Sequence, residues 1–199
     1  MKLETNFYLR KNVTKIARDL LGKFLFTRIQ GKLTGGIISE TEAYNGTVDR
    51  ASHAFGGRRT ARTEIMYKQG GTAYVYLCYG MYSLFNVVTN REDIPHAVLV
   101  RAIHPVEGID VMLRRRKAKT LTAKLAAGPG TLSIALGIDY KLHNGLSLLD
   151  GKIWIEDRKL NIDKKNIISS ERIGVDYAGE DAKLPYRYRI RTDILANYQ

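Results

Sequence analysis

One cysteine, one tryptophan and four prolines in 199 residues leave out several kinds of protein from the start. The lone Cys78 cannot build an intramolecular disulfide framework, an iron–sulfur cluster or a cysteine-based zinc site, and such usage fits cytosolic life. No apolar run approaches the roughly 20 residues of a membrane span, and the N-terminal stretch lacks the apolar core of a signal peptide, so no membrane partner is expected. The four histidines, His53, His96, His104 and His143, include no zinc-binding pair at helical spacing, and neither a Walker sequence nor a serine elbow is present. The expectation is an activity without metal or cofactor. Acidic residues are also scarce: 20 Asp and Glu stand against 32 Lys and Arg, a formal charge of +12. A sequence pI near 9.8 predicts attraction to a polyanion, nucleic acid first, although a basic soluble protein with no such partner has the same composition.

What is present is carboxylate, tyrosine and arginine at suggestive spacings. In Gly36–Tyr44, period-two alternation places Ile38, Glu40, Glu42 and Tyr44 on one strand face. A strand carrying two carboxylates beside apolar residues either faces water or lines a working cleft. Before it, Val13, Ile16, Ala17, Leu20 and Leu21 recur at helical spacing, with Asn12 or Thr14 as cap and Gly22 as stop. Strands are predicted at Lys23–Arg28 and Thr34–Tyr44 around a Gly31 turn, and loop from Asn45 to Gln69. That loop holds Arg58, Arg59 and Arg62, either a solvated run or a phosphate contact.

Two β-rich runs flank Tyr79-Gly80, which predicts a hairpin with Tyr79 at its apex and Met81 just beyond. The tyrosines around it, Tyr74 and Tyr76 included, are either core filling or flat stacking surfaces for bases. Ala97–Ile103 is an apolar strand interrupted by Arg101, whose fixed charge calls for an anion such as Glu42 or Glu40, or for solvent. Pro105 is expected to open a helix running into Arg114–Lys119, and Gly128-Pro129-Gly130-Thr131 to precede a helix over Leu132–Leu136. Further strands are expected at Lys152–Glu156, Arg172–Val175 and Tyr186–Arg191. The mix argues an α+β fold in a single domain, residues 1–199: a curved antiparallel sheet, flanking helices and a protruding tyrosine-tipped hairpin.

Residues two apart on a strand lie about 6.6 Å apart, inside the range over which paired carboxyl groups act through a water on a glycosidic bond. A carbohydrate hydrolase is physically allowed, though one tryptophan and the positive charge disfavour it. A non-catalytic nucleic-acid-binding module is the other alternative. Steep loss of DNA affinity with salt separates the first from a DNA enzyme, and release of free base excludes the second.

The order of Ala17–Gly22, Ser39–Tyr44, His53 before Gly56-Gly57-Arg58, Tyr74–Tyr76, Tyr79–Tyr82, Asn86, Leu99–Ala102, Gly128–Gly130, Arg172–Val175 and Tyr177–Gly179 resembles the alkyladenine (3-methyladenine) DNA glycosylase family across nearly the whole chain, in its bacterial form. Thr131 stands where that family carries lysine, and Ala61 and Gly70-Gly71 where relatives carry proline. The resemblance implies a monofunctional enzyme of base excision repair. It would extrude damaged purines from double-stranded DNA and hydrolyse the N-glycosidic bond, leaving an abasic site without a lysine nucleophile. It further implies Glu42 as general base, with Arg101 helping to hold the water. Tyr44, His53, Tyr76 and Asn86 would surround the base, with Asn86 discriminating against a guanine amino group. Tyr79 would intercalate, while Tyr74, Met81, Arg58, Arg59 and Arg172 would contact DNA. A cytoplasmic, nucleoid-associated monomer is expected.

Overall fold

A computed structural model describes residues 1–195. Helix α2 (Val13–Leu20) forms where the sequence spacing puts it, after a short α1 (Thr5–Tyr8). Asn12 is its cap, the side chain accepting from the Lys15 amide at 2.9 Å, and Val13, Ile16, Ala17 and Leu20 form its buried face. That face lies on the long strand β2 (Lys32–Tyr44), where the Thr41 hydroxyl donates to the Ala17 carbonyl at 2.8 Å.

The strands are β1 (Phe24–Ile29), β2, β3 (Ala73–Cys78), β4 (Tyr82–Thr89), β5 (His96–Glu107), β6 (Ile153–Glu156), β7 (Ile167–Ser170) and β8 (Arg187–Ile190). They form one curled antiparallel sheet in the order β3-β4-β5-β2-β1-β6, with β8 joining β2 to β7. One edge of β2 pairs with β5 along most of its length. The other edge is shared: residues 32–37 pair with β1, and Glu40–Glu42 pair with β8. The α+β class with a curved antiparallel sheet is therefore as expected. The remaining helices are α3 (Ile109–Arg116), α4 (Pro129–Leu136), α5 (Tyr140–His143) and α6 (Thr192–Leu195). The main core lies between α2, α4 and the sheet, with Ile16, Leu20, Phe26, Ile38, Phe85, Val100 and Leu132 among its members.

Three expectations need correction. Pro105 does not open a helix. It sits inside β5 opposite Gly36, where the register shifts and a missing ladder amide is tolerated, and α3 begins only after Gly108. Gly36 is required by close approach there, since a Cβ would lie 2.4 Å from the His104 carbonyl oxygen. Second, Arg172–Val175 is not a strand but irregular backbone leading into a 3₁₀ segment, Asp176–Lys183. Third, Ile38 does not share the face of the acids. The pairing passes from Ile38–Ile103 to Glu40–Ala102, so Ser39 is an extra residue, and Ile38 joins the core.

Candidate active site

The same irregularity creates the site. Between Glu40–Ala102 and Thr41–Val100 the extra residue lies on β5, and it is Arg101. Bulges on both strands thus re-aim the side chains of β2 and β5 where the two acids meet the arginine. Arg101 Nε donates to Glu40 Oε1 at 2.9 Å, and its Nη1 lies 3.3 Å from Glu42 Oε1. Arg187 Nε is 2.9 Å from the same Glu40 oxygen, but its N–H is not aimed at it, so that contact is Coulombic rather than a hydrogen bond.

The two carboxylates differ in environment. Glu42 has no exposed surface: Oε1 also accepts from the Ile173 amide at 2.9 Å, and Oε2 accepts from the Tyr44 hydroxyl at 2.9 Å. Glu40 keeps part of its side chain in solvent. A buried carboxylate needs such donors: the Ile173 amide and the Tyr44 phenol supply hydrogen bonds, and the Arg101 guanidinium supplies an ion pair. Burial, with the Glu42 charge next, pushes the Tyr44 hydroxyl well above the ordinary tyrosine range, so Tyr44 remains a donor.

Above this group opens a cleft of about 420 Å³, lined by Tyr44, His53, Tyr76, Asn86, Leu99 and Ile173 among others. Its aromatic wall is fixed by edge and hydrogen-bond contacts. His53 meets the Tyr76 ring edge-on at 4.7 Å, and its Nδ1 lies 2.9 Å from the Tyr74 hydroxyl. Burial first, then the Arg62 and Arg58 charges, lower the His53 imidazole to about 4, so it is neutral at pH 7. Burial likewise raises Tyr74 to about 12 and Tyr76 further. The Asn86 amide is pinned by two main-chain carbonyls, those of Tyr74 and Leu84, at 3.2 and 3.3 Å.

Tyr79 stands at the tip of the β3–β4 hairpin beside the cleft, 86% exposed. Tyr79 and Gly80 both have positive φ, 51° and 70°, and the Met81 amide closes the turn on the Cys78 carbonyl at 3.1 Å. This is the signature of a type I′ turn, which glycine adopts without strain and tyrosine does not. A bulky residue in the left-handed region is uncommon. Met81 is exposed next to it.

The structure brings Glu42, Arg101, Tyr44, His53, Tyr76, Asn86 and Tyr79 together and places the expected DNA contacts unevenly. Arg58 is exposed. Arg59 is committed to carboxylates, bidentate to Glu64 at 2.8 and 2.9 Å and to Asp93 at 2.7 Å. Tyr74 is buried behind His53. Arg172 is the correction: its guanidinium lies in the interior, bound to Asp49 at 2.5 and 2.9 Å and to the Ala43 and Asp181 carbonyls, between the Tyr44 and Tyr186 rings. Arg172 therefore anchors the backbone that delivers the Ile173 amide to Glu42. Asp49 and the Ile173–Val175 wall were missed from sequence, since a single aspartate in a loop carries no periodic signal.

Residues 6–194 match the methylpurine-DNA glycosylase (MPG) family. The chain belongs to this family. It is 46% identical over 187 residues to a protein of Chlamydia felis, covering 94% of each chain. It is 45% identical over 198 residues to one of Clostridium tetani and 42% over 199 residues to one of Clostridium perfringens, covering 96% of each chain in both cases. All three relatives are provisionally named 3-methyladenine DNA glycosylases. Membership makes the chain a hydrolase acting on N-glycosyl bonds in DNA. Among the described residues no helix is long and apolar enough to cross a membrane, and no cluster of metal-ligating side chains is found.

Proposed function

We propose that the protein is a monofunctional DNA glycosylase that flips alkylated or deaminated purines out of duplex DNA and hydrolyses the N-glycosidic bond with a water activated by Glu42. The observation that carries this reading is the buried Glu42 carboxylate held against Arg101 and Tyr44, both of which line the aromatic cleft. Tyr79 enters the minor groove and fills the place that the nucleotide vacates, as an exposed aromatic at a strained turn is suited to do. The extruded base stacks among Tyr44, Tyr76 and His53. A neutral His53 imposes no charge repulsion on a base made cationic by alkylation, and electron-rich ring faces attract it.

Glu42 accepts the proton of the attacking water, and its charge favours the oxocarbenium-like sugar that develops as the bond breaks. Arg101 positions that water, while Tyr44 and the Ile173 amide orient the carboxylate. A purine alkylated at N3 or N7 carries its own positive charge and leaves neutral, so it requires no general acid, whereas a deaminated purine is neutral and must take up a proton from water as it leaves. The pinned Asn86 forms a rigid wall where a guanine amino group would need room. The product is an intact abasic site, the sugar being attacked by water rather than by an amine of the protein. The protein acts as a monomer, with Arg58 and Met81 at the DNA surface.

The test is Glu42→Gln, which preserves shape and removes the charge. Excision from alkylated duplex falls to background while binding to damaged DNA persists. Normal single-turnover excision by this variant sinks the assignment.

A further inference from the structure

Arg62 belongs to the cleft but has no part in the chemistry above. Its guanidinium carbon lies 4.9 Å from the centroid of the Tyr76 ring, a ring that His53 meets edge-on and Tyr74 at a tilt. Its charge also acts on the neighbouring Tyr74 and, after burial, is the largest influence keeping His53 neutral. The side chain lines the cleft yet is solvent-exposed, on a loop between two 3₁₀ turns, so it is free to swing away without disturbing the core. A guanidinium is planar, delocalised and cationic, the same combination that an alkylated purine presents to a ring face.

We propose that Arg62 occupies, in the free protein, the stacking place that an extruded base takes on Tyr76, and that every base must displace it to be cleaved. Arg62 is then a specificity-determining residue. A base with a positive charge replaces one cation–π contact with another, whereas a neutral base offers stacking alone and meets the full cost of displacement. Undamaged purines, which are neutral, meet this threshold each time they are tested. The proposal rests on the glycosylase reading, because only that reading brings a base into the cleft.

Free hypoxanthine is the probe, since it is neutral and carries no phosphate, which isolates competition at the ring from any contact that Arg62 makes with DNA. Titration followed by NMR is compared for the native chain, Arg62→Ala and Arg62→Lys, with thermal unfolding as a check that the exposed substitution leaves the fold intact. Arg62→Ala is expected to bind hypoxanthine about 2- to 30-fold more tightly, the range spanned by a cation–π contact from exposed to desolvated settings. Arg62→Lys, which keeps the charge and loses the plane, falls between. No gain in affinity for Arg62→Ala, including no detectable binding by any of the three proteins, overturns the proposal. The reading beneath it fails separately: it is lost if the native chain releases no base from alkylated duplex, whatever the Arg62 variants do.

Discussion

The Asp49–Arg172 pair offers the sharpest test of how the site is held. Both side chains are essentially without solvent contact, 1% and 0% exposed, and they are joined by two hydrogen bonds of 2.5 and 2.9 Å. Asp49→Asn keeps the volume but removes the negative charge and one acceptor oxygen, leaving an interior guanidinium with neutral acceptors alone, the remaining side-chain oxygen and the Ala43 and Asp181 carbonyls. Stripping one partner from such a pair costs about 3–5 kcal/mol, against about 0–1 kcal/mol for a pair on the surface. For a chain of this size the loss corresponds to roughly 6–20 °C in Tm. Arg172→Met is the second arm: the stranded carboxylate still receives the Asn45 and Ala51 amides, so this variant should lose less. The double variant, with neither charge, is expected to lose clearly less than the sum of the singles, with a coupling of about 1–3 kcal/mol. Urea unfolding of all four proteins measures the cycle, provided the m-value is unchanged. Single losses below about 1 kcal/mol, or simple additivity, refute the claim that this pair is buried and coupled. At a temperature where Asp49→Asn is still folded its excision rate should also fall, because the Ile173 amide is no longer held on Glu42.

Two further outcomes follow from the cleft. Tyr79→Ser is expected to weaken base extrusion, read as lower fluorescence of a reporter base opposite the lesion, while stability stays within about 0.5 kcal/mol because the side chain is almost wholly exposed; an unchanged reporter signal counts against the wedge. His53 gives a pH dependence whose sign is fixed by burial. Its folded value of about 4 lies below the unfolded value, so its stabilising contribution is whole above about pH 6.5, declines as the unfolded chain takes up the proton, and is gone near pH 4, a loss of up to about 3 kcal/mol. Urea stabilities between pH 7 and pH 4 should fall less steeply for His53→Gln than for the native chain; parallel curves contradict a buried neutral imidazole.

Much of the site is legible in the sequence because its parts sit on periodic elements. Alternation puts Glu40, Glu42 and Tyr44 on one side of β2, glycine after Tyr79 marks the hairpin apex, and an arginine inside an apolar strand demands an anion that proves to be both glutamates. What stays hidden is aperiodic. An extra residue in a ladder leaves no mark on composition, so neither the displacement of Ile38 nor the re-aiming of Arg101 could be read. Pro105 resembles a helix opener because a bulge that excuses its missing amide depends on the partner strand. Which acid is dry depends on cover from Ile173, 131 positions downstream of Glu42. Arg172 resembles a surface cation until Asp49 closes on it.

The shared edge of β2 has a consequence for how the chain comes to be active. Glu40–Glu42 are paired on that edge by Arg187–Arg189, and Glu42 is capped by Ile173, so the working strand is finished by backbone that emerges from the ribosome some 130 to 150 residues after it. Contacts of such high sequence separation form late, since a long loop must close before they contribute. A chain interrupted before Arg172 lacks both the Ile173 amide and the strand β8 that contact this part of β2. The surroundings of Glu42 are thus completed only by backbone from the last part of the described chain, Ile173 and β8.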